Sequence, residues 1–237
     1  MGWAIQQGTP PLECERKWVG DAAWAPLALG VFEAWAEADA EYPEGELESV
    51  YFETPELAAY REKANGDSLK RKIRIRWYRG GDASGLRRVW VERKDRVGAA
   101  REKSRDEFKA DGSFLDAAPL EDEAWADLLR QAAEQAGWEA PASVEAAVSI
   151  RYRRRRYRCP ETGSRLSVDY AIRCTRANAR LLPFAGPLEC PYTVCEAQSA
   201  TARWWPFGRD LARLGFRMRS FSKYGHFMER LLDGGYR

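Results

Sequence analysis

The sequence predicts an α+β fold in which β-strands form a barrel with a charged interior, and helices cover its apolar outside. In residues 70–78, KRKIRIRWY, the cations Lys72, Arg74 and Arg76 alternate with the apolar Ile73, Ile75 and Trp77. Because successive side chains of a strand point to opposite faces, one face of this strand is cationic and the other is apolar. The same mixed alternation recurs at 87–97 and 164–174, and segments with helical composition lie between the strands.

The composition predicts a well-packed globular protein with segregated charge. The 237 residues include 10 Trp, 10 Tyr and 9 Phe, enough apolar area for a substantial core. The 38 Lys and Arg nearly balance the 36 Asp and Glu, which gives a net charge of +2. Acidic residues nevertheless concentrate in 33–62 and 116–139, and basic residues in 69–109 and 151–180. Such local basic patches indicate an anionic partner.

Several classes of chemistry are disfavoured by what the sequence contains. The five cysteines form no CxxC pair, which argues against a zinc site or a disulfide framework and for a reducing cytoplasm. The single histidine, His226, argues against Ser-His-Asp and Cys-His catalysis. Any metal would then be a hard cation held by carboxylates. The sequence shows neither a signal peptide nor an apolar run of membrane-spanning length, so a cytoplasmic location is expected.

Local signals divide the chain into alternating strands and helices. Thr54-Pro55 is typical of a helix start, Asn65-Gly66 of a turn, and Gly137 of a helix end. Strands are predicted at 12–20, 47–54, 70–78, 87–97, 101–109, 146–158, 164–174 and 192–199. Helices are predicted at 22–39, 56–64, 121–137 and 206–214. Both halves have the same style of strand, so we predict a single domain over residues 1–237.

The first strand places Glu13, Glu15 and Lys17 on one face. Carboxylates this close repel each other unless a cation lies beside them, and that cation is either Lys17 or a bound metal. The alternative is an edge strand whose charges face solvent. Glu196 lies among apolar neighbours on the last strand, so its carboxylate is expected to pair with a cation or to ligate a metal.

Two basic segments indicate a polyanionic ligand. Lys72, Arg74 and Arg76 share one strand face, and close like charges cost about 4 kcal/mol per contact at an effective dielectric near 20. Either water or a polyanion compensates this repulsion, and guanidinium groups suit phosphate oxygens. RYRRRRYR at 151–158 resembles a nucleic-acid-binding run, but only alternate members of a strand share a face. Its register stays open: either Arg154 and Arg156 or their odd-numbered neighbours face inward.

Seven stretches, in order along the chain, resemble one known family. They are ECERKWV (13–19), SVYFETPELAAYREK (49–63), IRIRWY (73–78), VWVERK (89–94), RLSVD (165–169), VCEAQ (194–198) and SFSKYG (220–225). The sequence resembles the triphosphate tunnel metalloenzymes (the CYTH-like superfamily) and, more closely, the VTC domain. That domain is the polyphosphate polymerase module of the fungal vacuolar transporter chaperone complex. Two departures are Gln198, where many relatives carry lysine, and Glu53, where aspartate is common.

The resemblance implies an eight-stranded antiparallel tunnel with helices outside and assigns roles to its charged residues. The expected catalytic cations that grip phosphates are Lys17, Arg74, Arg76, Lys94, Arg154, Arg165 and Lys223. Lys72, Lys103 and Arg156 are further phosphate-binding candidates. Glu196 is the expected ligand of Mn²⁺ or Mg²⁺, with Glu13 and Glu15 as further candidates. Without the resemblance, Lys223 would be read as a surface lysine beside Phe221 and Phe227.

The activity implied by this resemblance is polyphosphate synthesis from ATP or another nucleoside triphosphate. The same tunnel with water as acceptor would make a tripolyphosphatase or nucleoside triphosphatase. A third hypothesis is a non-catalytic module that binds polyphosphate or, through residues 151–158, RNA. The expected partners are a nucleoside triphosphate and inorganic polyphosphate, rather than nucleic acid, and a membrane-protein partner is left open.

Overall fold

The structure is a computed structural model that describes residues 14–67, 69–80, 85–97, 100–183, 186–199 and 205–233. The described residues form two compact units. The first unit comprises those within Met1–Glu44, Arg155–Tyr170 and Tyr192–Ser220. The second unit comprises those within Gly45–Arg154, Ala171–Pro191 and Phe221–Arg237. The single domain predicted over residues 1–237 stays a prediction.

Among the described residues, eight strands of eight or more residues carry the fold. They are β1 (Cys14–Asp21), β3 (Glu44–Glu53), β4 (Leu69–Arg79), β5 (Leu86–Val97), β6 (Ala100–Asp111), β7 (Glu145–Arg158), β8 (Arg165–Ala177) and β10 (Tyr192–Ser199). Three further strands have two residues each: β2 (Glu37–Ala38), β9 (Leu188–Glu189) and β11 (Arg217–Met218). Every pairing whose register is described is antiparallel. The predicted α+β class is confirmed, and the expected eight strands correspond to the eight longer ones.

Six α-helices accompany the strands in the part of the chain that the structure describes. They are α1 (Ala25–Trp35), α2 (Ala58–Ala64), α3 (Gly112–Ala117), α4 (Ala124–Gln135), α5 (Phe207–Arg213) and α6 (Lys223–Asp233). The predicted helix at 22–39 is too long, because β2 begins at Glu37 and only a 3-10 turn spans Ala22–Trp24. Helix α3 was not predicted, because six residues that begin with glycine show no helical periodicity. The Asp111 carboxylate caps this helix by accepting a hydrogen bond from the Phe114 amide at 2.7 Å. None of the described helices is long and apolar enough to cross a membrane.

In the first unit, strands pair in the order β11-β1-β10-β8, and β2 pairs with β7. Its core lies between one face of these strands and helices α1 and α5. Trp18 and Phe207 pack edge to face there, with ring centroids 5.6 Å apart. This apolar face leaves the alternate residues of β1 and β10, including Lys17 and Glu196, on the other face.

In the second unit, β3, β4, β5 and β6 are neighbours in that order. Ile73, Ile75 and Trp77 of β4 point to the face that carries the core. Helix α4 packs on this core, and its Trp125 ring stacks on Trp77 at 6.3 Å. The alternate residues of β4 therefore lie on the opposite face, which we call the charged face of β4–β6. Its residues are Lys72, Arg74, Arg76 and Tyr78 of β4 with their partners on β5 and β6.

Candidate functional site

The charged face of β4–β6 brings five of the predicted phosphate-binding residues into register. Arg74 lies opposite Glu92, and Arg76 lies opposite Trp90. Lys72 lies opposite Lys94, which in turn lies opposite Lys103. Directly paired residues of an antiparallel sheet point to the same face, so these side chains form rows across three strands.

Glu92 is the centre of a cation-rich cluster on this face. Its side chain is 1% exposed, and the Arg74 guanidinium donates two hydrogen bonds to it, from Nε at 2.6 Å and from Nη2. Arg76 Nη1 lies 3.8 Å and Arg105 Nε 3.6 Å from the other carboxylate oxygen. Burial opposes ionisation, but Arg74 and then Arg76 hold the pKa of Glu92 well below its usual range. The Glu92 cluster (Glu92, Arg74, Arg76 and Arg105) thus has three cations for one anion.

Aromatic side chains line this cluster. The Tyr51 hydroxyl accepts a hydrogen bond from Arg74 Nη1 at 2.9 Å. Burial would raise the pKa of Tyr51, but the guanidinium groups of Arg74 and Arg76 lower it to about 8. Three cationic groups lie over the Tyr152 ring in cation–π geometry. Their distances to the ring centroid are 5.8 Å for Arg76, 5.5 Å for Arg154 and 4.8 Å for Lys223.

The first turn of α6 brings Lys223 to the same cluster. The neighbouring Ser222 hydroxyl lies 3.2 Å from Lys72 Nζ. The Tyr224 ring stacks on Tyr51 at 5.0 Å, and its hydroxyl donates to the buried carboxylate of Glu53. Burial raises the pKa of Glu53 to about 7, although the backbone amides of Ala59, Tyr60 and Thr54 act against this shift. In the second unit, Lys223 thus lies beside cations that are distant in sequence.

The sequence analysis did not select Tyr51, Glu92, Tyr152, Tyr224 or Glu53 as site residues. Glu92 could have been found, because it shares the charged face with Lys94 two residues along β5. Tyr51 and Tyr152 gave no such signal, since a tyrosine in a strand also suits a packed core.

The first unit brings Lys17 together with two predicted metal ligands. Lys17 and Glu196 are directly paired across β1 and β10, and Lys17 Nζ lies 3.0 Å from Glu196 and 3.2 Å from Glu15. Burial would lower the pKa of Lys17, but Glu196 and then Glu15 raise it above its usual value. Glu13 lies outside the described residues. We call Lys17, Glu15 and Glu196 the Lys17 cluster.

The remaining predicted cations have individual surroundings. Arg165 is exposed and lies 3.5 Å from the Gln198 side chain on the paired strand. The Arg156 guanidinium lies over the Tyr42 ring at 5.9 Å. In β7, Arg154 contacts Tyr152, whereas Arg151 binds the buried Glu48 at 3.0 Å, on the face where Glu48 pairs with Trp77. The open register is therefore resolved for Arg154, which shares the face of Tyr152.

The donor types of the Lys17 cluster fit a hard divalent cation. Mg²⁺-type ions are commonly held by one or two carboxylates and complete their coordination with phosphate oxygens and water. Glu15 and Glu196 already converge on one positive charge, the Lys17 ammonium. Among the described residues, no group of three or more His, Cys, Asp or Glu side chains could hold a metal.

Comparison with solved structures shows a likeness of fold. A Bacillus halodurans protein provisionally named an adenylate cyclase matches with a TM-score of 0.51 and 13% identity, over 89% of this chain and 93% of that chain. A Vibrio parahaemolyticus protein with the same provisional name matches with a TM-score of 0.46 and 12% identity, over 92% of this chain and 97% of that chain. No curated protein matches the chain.

Comparison with protein families defines the class. The model of the VTC domain matches residues 31–232, so the chain belongs to the VTC domain family. The resemblance drawn from the sequence motifs is confirmed. Membership of this family supports phosphoryl transfer on triphosphates as the general class of chemistry.

Proposed function

We propose that this chain is an enzyme that lengthens polyphosphate by phosphoryl transfer from a nucleoside triphosphate, with Mn²⁺ or Mg²⁺ as cofactor. The observation that carries the proposal is the Glu92 cluster, in which three guanidinium groups surround one buried carboxylate. The neighbouring row adds Lys72, Lys94 and Lys103. An excess of cations that is built into the fold favours a ligand with several negative charges in series, such as a phosphate chain.

The cations of the charged face would bind and align the phosphate chain. Arg74 and Arg76 offer planar donors that match phosphate oxygens in pairs, whereas the lysines act as point charges. Arg74 is held by Glu92 and Tyr51, and Arg76 Nε donates to Ser49 at 3.0 Å. Because these groups are already oriented, they stabilise charge that develops on the transferring oxygens without reorganising.

The acceptor in polyphosphate synthesis is itself an anion and needs no general base. A hydrolase would instead need a group to orient water. Glu15 and Glu196 would hold the divalent cation, which supplies Lewis-acid polarisation of a phosphoryl oxygen when bound. In the structure, the Lys17 ammonium orients both carboxylates, because its Nζ lies 3.2 Å from Glu15 and 3.0 Å from Glu196.

The experiment supplies the purified chain with Mn²⁺ and, in separate samples, ATP or tripolyphosphate, and follows both polymer length and orthophosphate. Growth of polyphosphate supports the proposal. Orthophosphate release from tripolyphosphate would instead indicate a tripolyphosphatase, and binding without turnover would indicate a non-catalytic polyphosphate-binding module. Arg74→Lys and Arg76→Lys keep the charges but lose the paired donors, so the double variant should lose at least a hundredfold in kcat/KM, about 3 kcal/mol.

The control is Arg71→Lys with Arg93→Lys, which alters arginines on the opposite face of the same strands. Arg71 and Arg93 both pair with Asp95 there, at 2.8 and 3.1 Å. The control should keep full activity. If the Arg74 and Arg76 variant also keeps full activity, these residues do not carry the chemistry.

A further inference from the structure

The charged face of β4–β6 changes character from one end of the strands to the other. One end is formed by Tyr78 of β4, and the next residue on the same face of β4 is Arg76. The direct partner of Arg76 on β5 is Trp90. At the other end, the row of Lys72, Lys94 and Lys103 contains only cations. The Arg74–Glu92 pair lies between these ends. One face therefore presents an aromatic end and a cationic end with a buried ion pair between them.

The aromatic end is a layered stack with an accessible outer layer. Tyr78 meets Trp90 edge to face, with ring centroids 5.8 Å apart and planes at 81°. The Arg105 guanidinium lies over the Trp90 ring at 4.8 Å. Trp90 is 9% exposed, whereas the Arg105 side chain is 43% exposed. The indole thus supports the guanidinium from below, and much of Arg105 remains accessible.

Such a layer suits a planar aromatic ligand. Nucleic-acid bases stack on aromatic rings and on arginine guanidinium planes, and this contact tolerates any base because every base has a π-face. The cationic end suits phosphate oxygens. Trp90 and Lys94 are four residues apart on β5, a separation of about 13 Å at the usual rise of a strand. A ribose and an extended phosphate chain can span this separation.

We propose that the Trp90–Arg105 stack is the nucleoside subsite of the donor, on which the base of a nucleoside triphosphate stacks while its phosphates extend along the charged face towards Lys72, Lys94 and Lys103. This inference rests on the proposed function. It orients the bound nucleoside triphosphate along β5, with its base at Trp90 and its phosphates towards Lys94. Because stacking alone recognises the base, purine and pyrimidine nucleotides bind with similar affinity.

The test compares ATP with inorganic tripolyphosphate, which has the phosphates but no base. Binding of each is measured by calorimetry for the wild type and for Arg105→Lys, which keeps the charge and loses the plane. ATP affinity should fall about tenfold, or 1.4 kcal/mol. Tripolyphosphate affinity should fall clearly less than ATP affinity, because the charge is retained and tripolyphosphate has no base to lose a stacking contact.

The matched control is Arg93→Lys. The Arg93 guanidinium also lies over a tryptophan, Trp138 at 5.2 Å, and it belongs to the opposite face of β5. This control should leave both affinities unchanged. Equal losses for ATP and tripolyphosphate in Arg105→Lys, or no loss for ATP, would overturn the subsite while leaving the proposed function intact. A wild-type protein that binds neither ligand would overturn both.

Discussion

The Glu92 cluster and the Lys17 cluster are built with opposite stoichiometry. In the first, Arg74, Arg76 and Arg105 surround one carboxylate. In the second, two carboxylates share one ammonium, that of Lys17. An ion pair fixes its members in place, but the sign of the surplus charge decides which ligand gains from binding there. The Glu92 cluster therefore suits an anion, and the Lys17 cluster suits a second cation.

Glu92→Gln should produce the largest effect, because it removes the only anion of the Glu92 cluster. Breaking a buried ion pair leaves its cations uncompensated, and we expect the free energy of unfolding to fall by about 3 kcal/mol. Added tripolyphosphate should restore part of this loss, since phosphate supplies the missing negative charge. Urea unfolding with and without tripolyphosphate measures both quantities.

The control for this variant is Glu102→Gln. Glu102 is 73% exposed and lies 3.4 Å from Arg93, on the opposite face. Its removal should change the free energy of unfolding by at most about 0.5 kcal/mol. If the free energy of unfolding falls equally in the two variants, the surplus of cations around Glu92 does not affect stability.

Glu53 extends the comparison to a buried carboxylate held by backbone amides and a tyrosine hydroxyl. Its pKa is raised to about 7, whereas Glu48, on the same strand and beside Ser149 and Arg151, has a lowered pKa. A raised carboxyl pKa stabilises the fold fully below the unfolded value of 4.5 and loses that contribution as pH rises through about 7. The loss amounts to about 3 kcal/mol.

Glu53→Gln mimics the protonated form, so it should remove this slope and exceed the wild type in stability at pH 8. Glu48→Gln should be destabilising at the same pH. Thermal unfolding between pH 4 and pH 8 reports both. A wild-type curve that runs parallel to the Glu53→Gln curve across this range would show that the pKa of Glu53 does not differ between the folded and unfolded states.

Lys17→Met tests the anionic surplus of the Lys17 cluster. Without the ammonium, no side-chain cation of the Lys17 cluster competes with a metal ion for Glu15 and Glu196. The affinity for Mn²⁺ should therefore rise about tenfold in the absence of substrate. Calorimetric titration with Mn²⁺ measures this. Arg16→Met is the control: it alters the adjacent residue, whose guanidinium lies over Trp205 at 5.3 Å on the other face of β1. Equal Mn²⁺ affinities for the two variants would contradict the assignment of the carboxylates as metal ligands.

The sequence was most informative where alternation decided the face of a residue. Lys72, Arg74 and Arg76 could be placed together because Ile73 and Ile75 had to enter the core. Contacts between distant segments could not be predicted in the same way. The stacking of Tyr224 on Tyr51 depends on where α6 docks.

Charge alone also failed to fix the register of β7. All of residues 153–156 are arginine, so sliding the strand by one residue leaves the pattern unchanged. The structure resolves it through neighbours that carry no such repeat: Glu48 for Arg151 and Tyr152 for Arg154. Neither partner could be assigned without the fold.

The exposed lysines give the smallest expected effect. Lys94 is exposed, and an exposed charge contributes at most about 1 kcal/mol. Lys94→Ala should therefore weaken tripolyphosphate binding about threefold at low salt, and the difference should fade as added salt screens the charge. Arg88→Ala, which removes an exposed cation paired with Glu107 at the aromatic end, should leave tripolyphosphate binding unchanged. A tenfold or greater loss in Lys94→Ala that persists at high salt would place the main phosphate contacts in the lysine row rather than in the Glu92 cluster.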